Sequence, residues 1–113
     1  MDDRSSIEIF LNHCAIERGL AKNTLSSYRR DLEKFLSYLN QNQKTLSSIT
    51  PSDVAAFLHT LRQANLNESS IARNAVALRS LFEFLAKESG VESIAKEILV
   101  PRSAKKITQS FKY

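Results

Sequence analysis

Apolar residues recur at intervals of three and four in four separate stretches of this 113-residue chain. That interval is the period of an α-helix, and it narrows the fold more than any single residue does. The stripes are Ile7, Phe10, Leu11 and Cys14; then Leu25, Tyr28, Leu32, Phe35, Leu36 and Leu39; then Val54, Phe57, Leu58 and Leu61; and last Ile71, Ala75, Leu78, Phe82 and Leu85. With only two glycines and two prolines, hairpin turns are scarce, so an all-α fold is predicted. A chain of this length with 42% hydrophobic content buries one core and has little room for a second.

Cap signals place the boundaries. Ser5 or Ser6 is the expected N-cap of the first helix, with Glu8 completing a capping-box pattern and Gly19 as the residue that stops it. Asn23 is expected to cap the second helix, which runs to about Asn40. Thr50-Pro51-Ser52-Asp53 sets a threonine cap, a proline at the first helical position and an acid in the first turn, opening a third helix that stops near Ala64. Asn67 or Ser69 caps the fourth, which ends before Gly90. A short fifth helix is expected near Ser93 to Leu99. After Pro101 the chain turns basic and loses periodicity, so residues 102–113 read as a linker and residues 1–101 as the folded domain.

Several function classes fall away. The longest apolar run is far short of the roughly 20 residues a membrane helix needs, and Met1-Asp2-Asp3 has the wrong charge for a signal peptide. A soluble, cytoplasmic protein is expected. Cys14 is alone and reads as core, and with His13 and His59 isolated no metal or cofactor is implied. The net charge of +4 favours a polyanionic partner without requiring one.

The outward faces carry the functional information. At about 100° per residue, the second helix gathers Ser27, Arg30 and Lys34 opposite its apolar stripe, with Thr24 at its start. That face holds no acid, although Asp31 and Glu33 flank it. The fourth helix presents Ser69, Arg73, Val76, Ala77 and Ser80, small residues around one arginine. Small side chains let a helix approach a surface closely, and hydroxyls and amides near its start donate to phosphate oxygens. Each face reads as a solvated surface by itself; together they have what insertion into a major groove requires.

Asn23-Thr24-Leu25 followed by Tyr28-Arg29-Arg30-Asp31-Leu32, then Ser69-Ser70-Ile71-Ala72-Arg73 leading into Leu78-Arg79-Ser80-Leu81-Phe82, and a proline with a basic tail, resemble the N-terminal core-binding domain of tyrosine site-specific recombinases. The Xer recombinases are the nearest likeness and phage integrases the next, over about Ile7 to Arg102. The resemblance implies a SAM-like orthogonal bundle of four main helices and a short fifth. Joined by the linker to a catalytic domain, such a bundle clamps double-stranded DNA during site-specific recombination, DNA integration or chromosome dimer resolution. The second and fourth helices would then cross in the major groove. The partners implied are duplex DNA and, in a full-length protein, other recombinase protomers, with the isolated domain a monomer.

Carried over by position, the resemblance puts Lys22, Thr24, Ser27, Arg30 and Lys34 at the DNA backbone, and Ser69, Ser70, Arg73, Ala77 and Ser80 nearest the groove. Arg73 is the expected base reader, and Arg102, Lys105 and Lys106 are candidate linker contacts. Arg29 either joins the DNA face or pairs with Asp31, Glu33 or another helix; Arg79 is equally open between DNA and a salt bridge. A second stripe, Ile9, Ile16 and Leu20, serves either protomer contacts or, as expected here, packing of Ile9 and Ile16 on the fifth helix. The family commonly opens its last short helix with Asn/Asp-Pro, which Ser93-Ile94-Ala95 lacks.

Family chemistry is strand cleavage by a tyrosine, assisted by arginines, a lysine and histidines of the catalytic domain, and nothing here matches that signature. Tyr28 and Tyr38 are helix positions of a small bundle and Tyr113 ends the linker, so the fragment is expected to bind DNA without catalysing cleavage. A helical bundle that binds an acidic protein partner is the alternative reading.

Overall fold

The computed structural model describes residues 2–90 and 94–100. Among them are four α-helices and no strand: α1 Asp3–Ile16, α2 Lys22–Gln41, α3 Pro51–Gln63 and α4 Glu68–Ser89, followed by a single 3-10 turn at Ala95–Glu97. The all-α architecture follows the four apolar stripes, whose residues are buried except for the half-buried Leu25 and Leu85. The longest helix, α4, packs against α1, α2, α3 and the 3-10 turn, and α2 packs against α1 and α4. Phe35 of α2 lies at the centre with its ring centroid 5.1 Å from that of Phe57 and 6.3 Å from that of Phe82, both edge-on. Those contacts join α2, α3 and α4 through aromatic quadrupoles as well as buried area.

Caps explain most boundaries. Thr50 and Asp53 form a reciprocal capping box, with Pro51 behind the cap. Asn67, not Ser69, caps α4 by accepting from the Ser70 amide at 2.8 Å. Gly90 ends α4 in the left-handed region at φ +76°.

Two expected starts are displaced. α1 is capped by Asp2, whose carboxylate accepts from the Ser5 amide at 2.8 Å, so Ser5 and Ser6 lie inside the first turn. Glu8 faces α2 and makes no capping box. α1 ends at Ile16; Gly19, at φ +62°, takes the left-handed step of the connection, and the Leu20 amide donates back to the Cys14 carbonyl at 3.1 Å. That tight return brings the chain into α2 early, with Ala21 as N-cap and no side-chain cap, so Asn23 is an interior residue of the first turn.

The fifth element is a 3-10 turn whose Ala95 and the following Ile98 are buried, and the expected start at Ser93 lies outside the described residues. So does the expected linker, residues 102–113. Ile9 and Ile16 are not buried under this turn: Ile9, 43% exposed, lines a cleft with Leu25 and Arg29 of α2, and Ile16 is 72% exposed.

Candidate nucleic-acid interface

The helical phase of α2 sorts its polar residues into three directions. Arg30 and Lys34 are exposed on the outward side, with Thr24 and Ser27 half-buried beside them, while the exposed Lys22, two turns before Arg29, lines a cleft with Glu8, Asn12 and Arg29 on the α1 side. Arg29 and Glu33 face α1, where Arg29 is gripped by Glu8 and Glu33 by Arg4. Asp31 turns toward α4 and is buried, 1% exposed. Lys22, Arg30 and Lys34 make no ion pair among the described residues; the nearest bond is a long one from Arg30 Nη2 to Ser27 Oγ at 3.4 Å.

Elsewhere five cations are answered by carboxylates, while Arg18, Arg79, Lys87 and Lys96 make no ion pair among the described residues. Arg4, Arg29, Lys44, Arg62 and Arg73 pair with Glu33, Glu8, Asp53, Glu68 and Asp31 respectively. Hydrogen bonding to Arg29 holds the Glu8 carboxyl below its ordinary range, and bonds from Thr50 do the same for Asp53. Unanswered charge is what attracts a polyanion, and on α2 it lies at Arg30 and Lys34 of the outward face and at Lys22 in the first turn.

On α4, Ser69 is exposed at the first turn. Ser70 is half-buried, its amide held by Asn67 and its carbonyl accepting from Asn74 Nδ2 at 2.8 Å. Ser80 is half-buried at a cleft it shares with Phe10, His13 and Phe84. Arg73 is joined to Asp31 by two parallel bonds, Nε to Oδ2 at 2.7 Å and Nη2 to Oδ1 at 2.8 Å. The same carboxylate raises the Arg73 pKa further above its ordinary value. Arg73 therefore has a structural partner that the chain alone did not indicate.

Ala77 corrects the reading of the α4 face. It is fully buried, so it does not lie on the outward side with Ser69 and Ser80. One turn along from Arg73, it belongs to the buried core cluster, where its methyl group leaves room for close packing of α4 on its neighbours. The outward side instead includes Val76, 39% exposed, and Arg79, exposed and without an ion pair among the described residues.

Asp31 is the residue that sequence reasoning missed. Its signal was present: positions 28, 31, 32 and 35 form an i, i+3, i+4, i+7 stripe, so an acid at 31 lies on the buried side. A buried acid requires a partner, and an arginine on a neighbouring helix supplies it. Arg102, Lys105 and Lys106 lie outside the described residues. Tyr28 is 7% exposed and burial pushes its phenol pKa up, the opposite of nucleophile activation. Among the described residues, no group of His, Cys, Asp and Glu is placed to hold a metal ion, and no helix is long and apolar enough to cross a membrane.

The arrangement is a small helical module with α2 and α4 side by side, joined at a buried ion pair, with basic and small polar residues to either side. Comparison with known proteins gives the family. Residues 7–89 match the family described as phage integrase, N-terminal SAM-like domain, and the chain belongs to it. It is 39% identical over 85 residues to tyrosine recombinase XerD of Oceanobacillus iheyensis, covering 74% of this chain and 29% of that protein. To XerD of Mycobacterium tuberculosis H37Rv it is 37% identical over 110 residues, covering 89% and 35%. To XerC of Roseiflexus castenholzii it is 41% identical over 80 residues, covering 70% and 26%. The chain thus spans about a third of these recombinases. The fold is shared with the crystal structure of the N-terminal domain of a phage integrase/site-specific recombinase from Haloarcula marismortui. The TM-score is 0.79 at 16% identity, over 89% of this chain and 97% of that one.

Proposed function

We propose that this domain binds double-stranded DNA through the outward faces of α2 and α4, as the N-terminal half of a clamp that a tyrosine recombinase closes on its recombination site. The observation that carries this reading is the exclusion of carboxylates from the outward face of α2. Arg30 and Lys34 stand free there, with Lys22 free at the start of the helix on its α1 side, while Asp31 and Glu33 are turned away into pairs with α4 and α1. Free cations beside hydroxyls position a helix on phosphates, and Thr24, Ser27, Ser69, Ser70 and Ser80 supply the hydroxyls. In this reading residues 1–101 form the binding domain and residues 102–113 lead to a catalytic domain, with Arg102, Lys105 and Lys106 on the DNA path. Cleavage belongs to that second domain, and the isolated domain is a monomer that works in the cytoplasm, where its DNA is.

NMR titration of the chain with duplex DNA at several salt concentrations tests the proposal. Affinity should fall steeply with salt as counterions are released. The amides that shift should map to residues 22–34 and 69–80. Shifts spread evenly, or confined to α1, would overturn the assignment of the face.

A further inference from the structure

The Asp31–Arg73 pair lies on the seam between the two outward faces. On α2, helical phase puts Asp31 between Ser27 on the outer side and Phe35 in the core; on α4, Arg73 lies between Ser69 and the buried Ala77. Guanidinium carries five N–H donors in a fixed plane. Asp31 takes the Nε–H and one Nη2–H, the lateral edge. The end-on edge, one hydrogen from each Nη, is left over. Nη1 makes no hydrogen bond among the described residues, and Asn74 Oδ1 is the one fully buried side-chain polar atom there without a partner, so Nη1 reaches solvent. With 36% of its side chain exposed, Arg73 is held from behind and open in front.

Resting on the DNA-binding reading above, we infer that Asp31 is a positioning residue that presents the end-on edge of Arg73 to the paired acceptors O6 and N7 of a guanine in the major groove. Two features select a base edge over a phosphate. The guanidinium plane is fixed by two short bonds to a buried carboxylate, which suits a planar pair of acceptors. The pair is also close to neutral as a unit, so Arg73 adds little to the long-range attraction for phosphate, which Lys22, Arg30 and Lys34 supply. A free arginine would lose rotamer freedom on meeting its base; this one has lost it during folding.

The test selects duplexes from a pool randomised over about ten base pairs, using the whole chain, and then measures affinity and salt dependence for the enriched duplex and a scrambled one. The wild-type chain should enrich a sequence with an invariant guanine. Replacing that guanine by 7-deazaguanine, which lacks N7, should lower affinity about tenfold. Asp31→Asn should bind scrambled duplex at least as well as wild type, having lost a negative charge, yet lose the preference for guanine. Arg73→Lys keeps a cation beside Asp31 and so keeps the fold, and should lose the same preference with an unchanged salt slope.

If Arg73→Lys keeps the wild-type preference for the enriched duplex, Arg73 acts as a point charge on a phosphate, which lysine can replace, and the inference is wrong. An Asp31→Asn chain that melts earlier but, while folded, keeps the guanine preference would make the pair purely structural and overturn it too. Wild-type binding with no enriched sequence overturns it while leaving the DNA-binding proposal standing. No duplex binding at any salt removes both.

Discussion

The two seams that α2 makes with its neighbours are built in opposite ways. Toward α1, polar attachment is by exposed pairs: Arg29 with Glu8, and Arg4 with Glu33, each side chain between 41% and 60% open to solvent. Toward α4, it is one pair with a carboxylate 1% exposed and both oxygens bonded. Exposed pairs are weak because water and salt compete for both partners. A buried carboxylate has no such recourse, and removing its partner leaves an unanswered charge inside the protein. The α1 seam is therefore decorated with charge and held by its apolar stripe, whereas the α4 seam depends on its charge pair for a defined relation between the two helices.

The largest expected effect follows from that contrast. Arg73→Met should destabilise the domain by about 3 kcal/mol, measured by denaturant unfolding, because Asp31 is left buried and unpaired. Asp31→Leu combined with Arg73→Met should recover most of the loss, since an apolar pair of similar volume needs no partner. A loss under about 1 kcal/mol for the single change would place the α4 seam in the same class as the α1 seam.

Ala77→Leu comes next, at about 2 kcal/mol of destabilisation. Three added carbons have no space at a residue with no exposed surface, and the helices must shift or the new side chain must leave its rotamer. An alanine on an outward face would accept leucine at almost no cost, so the measured stability distinguishes the two placements of Ala77. An accompanying loss of DNA affinity would show that the spacing of α2 and α4 matters to the proposed interface.

The core and the exceptions to it differ in how far apart their causes lie along the chain. Phe10, Leu32, Phe57 and Ile71 were legible because a 3.6-residue period reports burial from residues a turn apart. The Thr50-Pro51-Asp53 box was legible for the same reason: donor and acceptor are three residues apart. The α1 cap was misplaced because Asp2, Ser5 and Ser6 are all competent N-caps within five residues, and only the onset of helical packing selects one. Asp31 could not be matched to Arg73 from the chain because its partner is 42 residues away on another helix. Ala77 was misread because a small residue permits close approach without saying of what. Ala77 uses that permission inside the core, while Ser69 uses it at the surface.

The smallest expected effect lies on the α1 seam and comes with its own sign. Glu8→Gln removes the charge that pairs with Arg29 and should cost under ~1 kcal/mol at neutral pH and low salt. The wild-type Glu8 carboxyl is held below its ordinary 4.5 by the Arg29 hydrogen bond, so the folded state binds its proton less readily than the unfolded chain does. The stability this gives is fully present above about pH 4.5 and is lost as pH falls through the lower, folded value. The difference in melting temperature between Glu8→Gln and wild type should shrink toward zero in acid, and also in concentrated salt at neutral pH. The Arg73→Met deficit should persist in that salt, because ions do not reach a carboxylate sealed between two helices. Equal salt sensitivity of the two deficits would mean that water reaches both seams, and the α4 pair would then be too loosely held to fix the plane of Arg73.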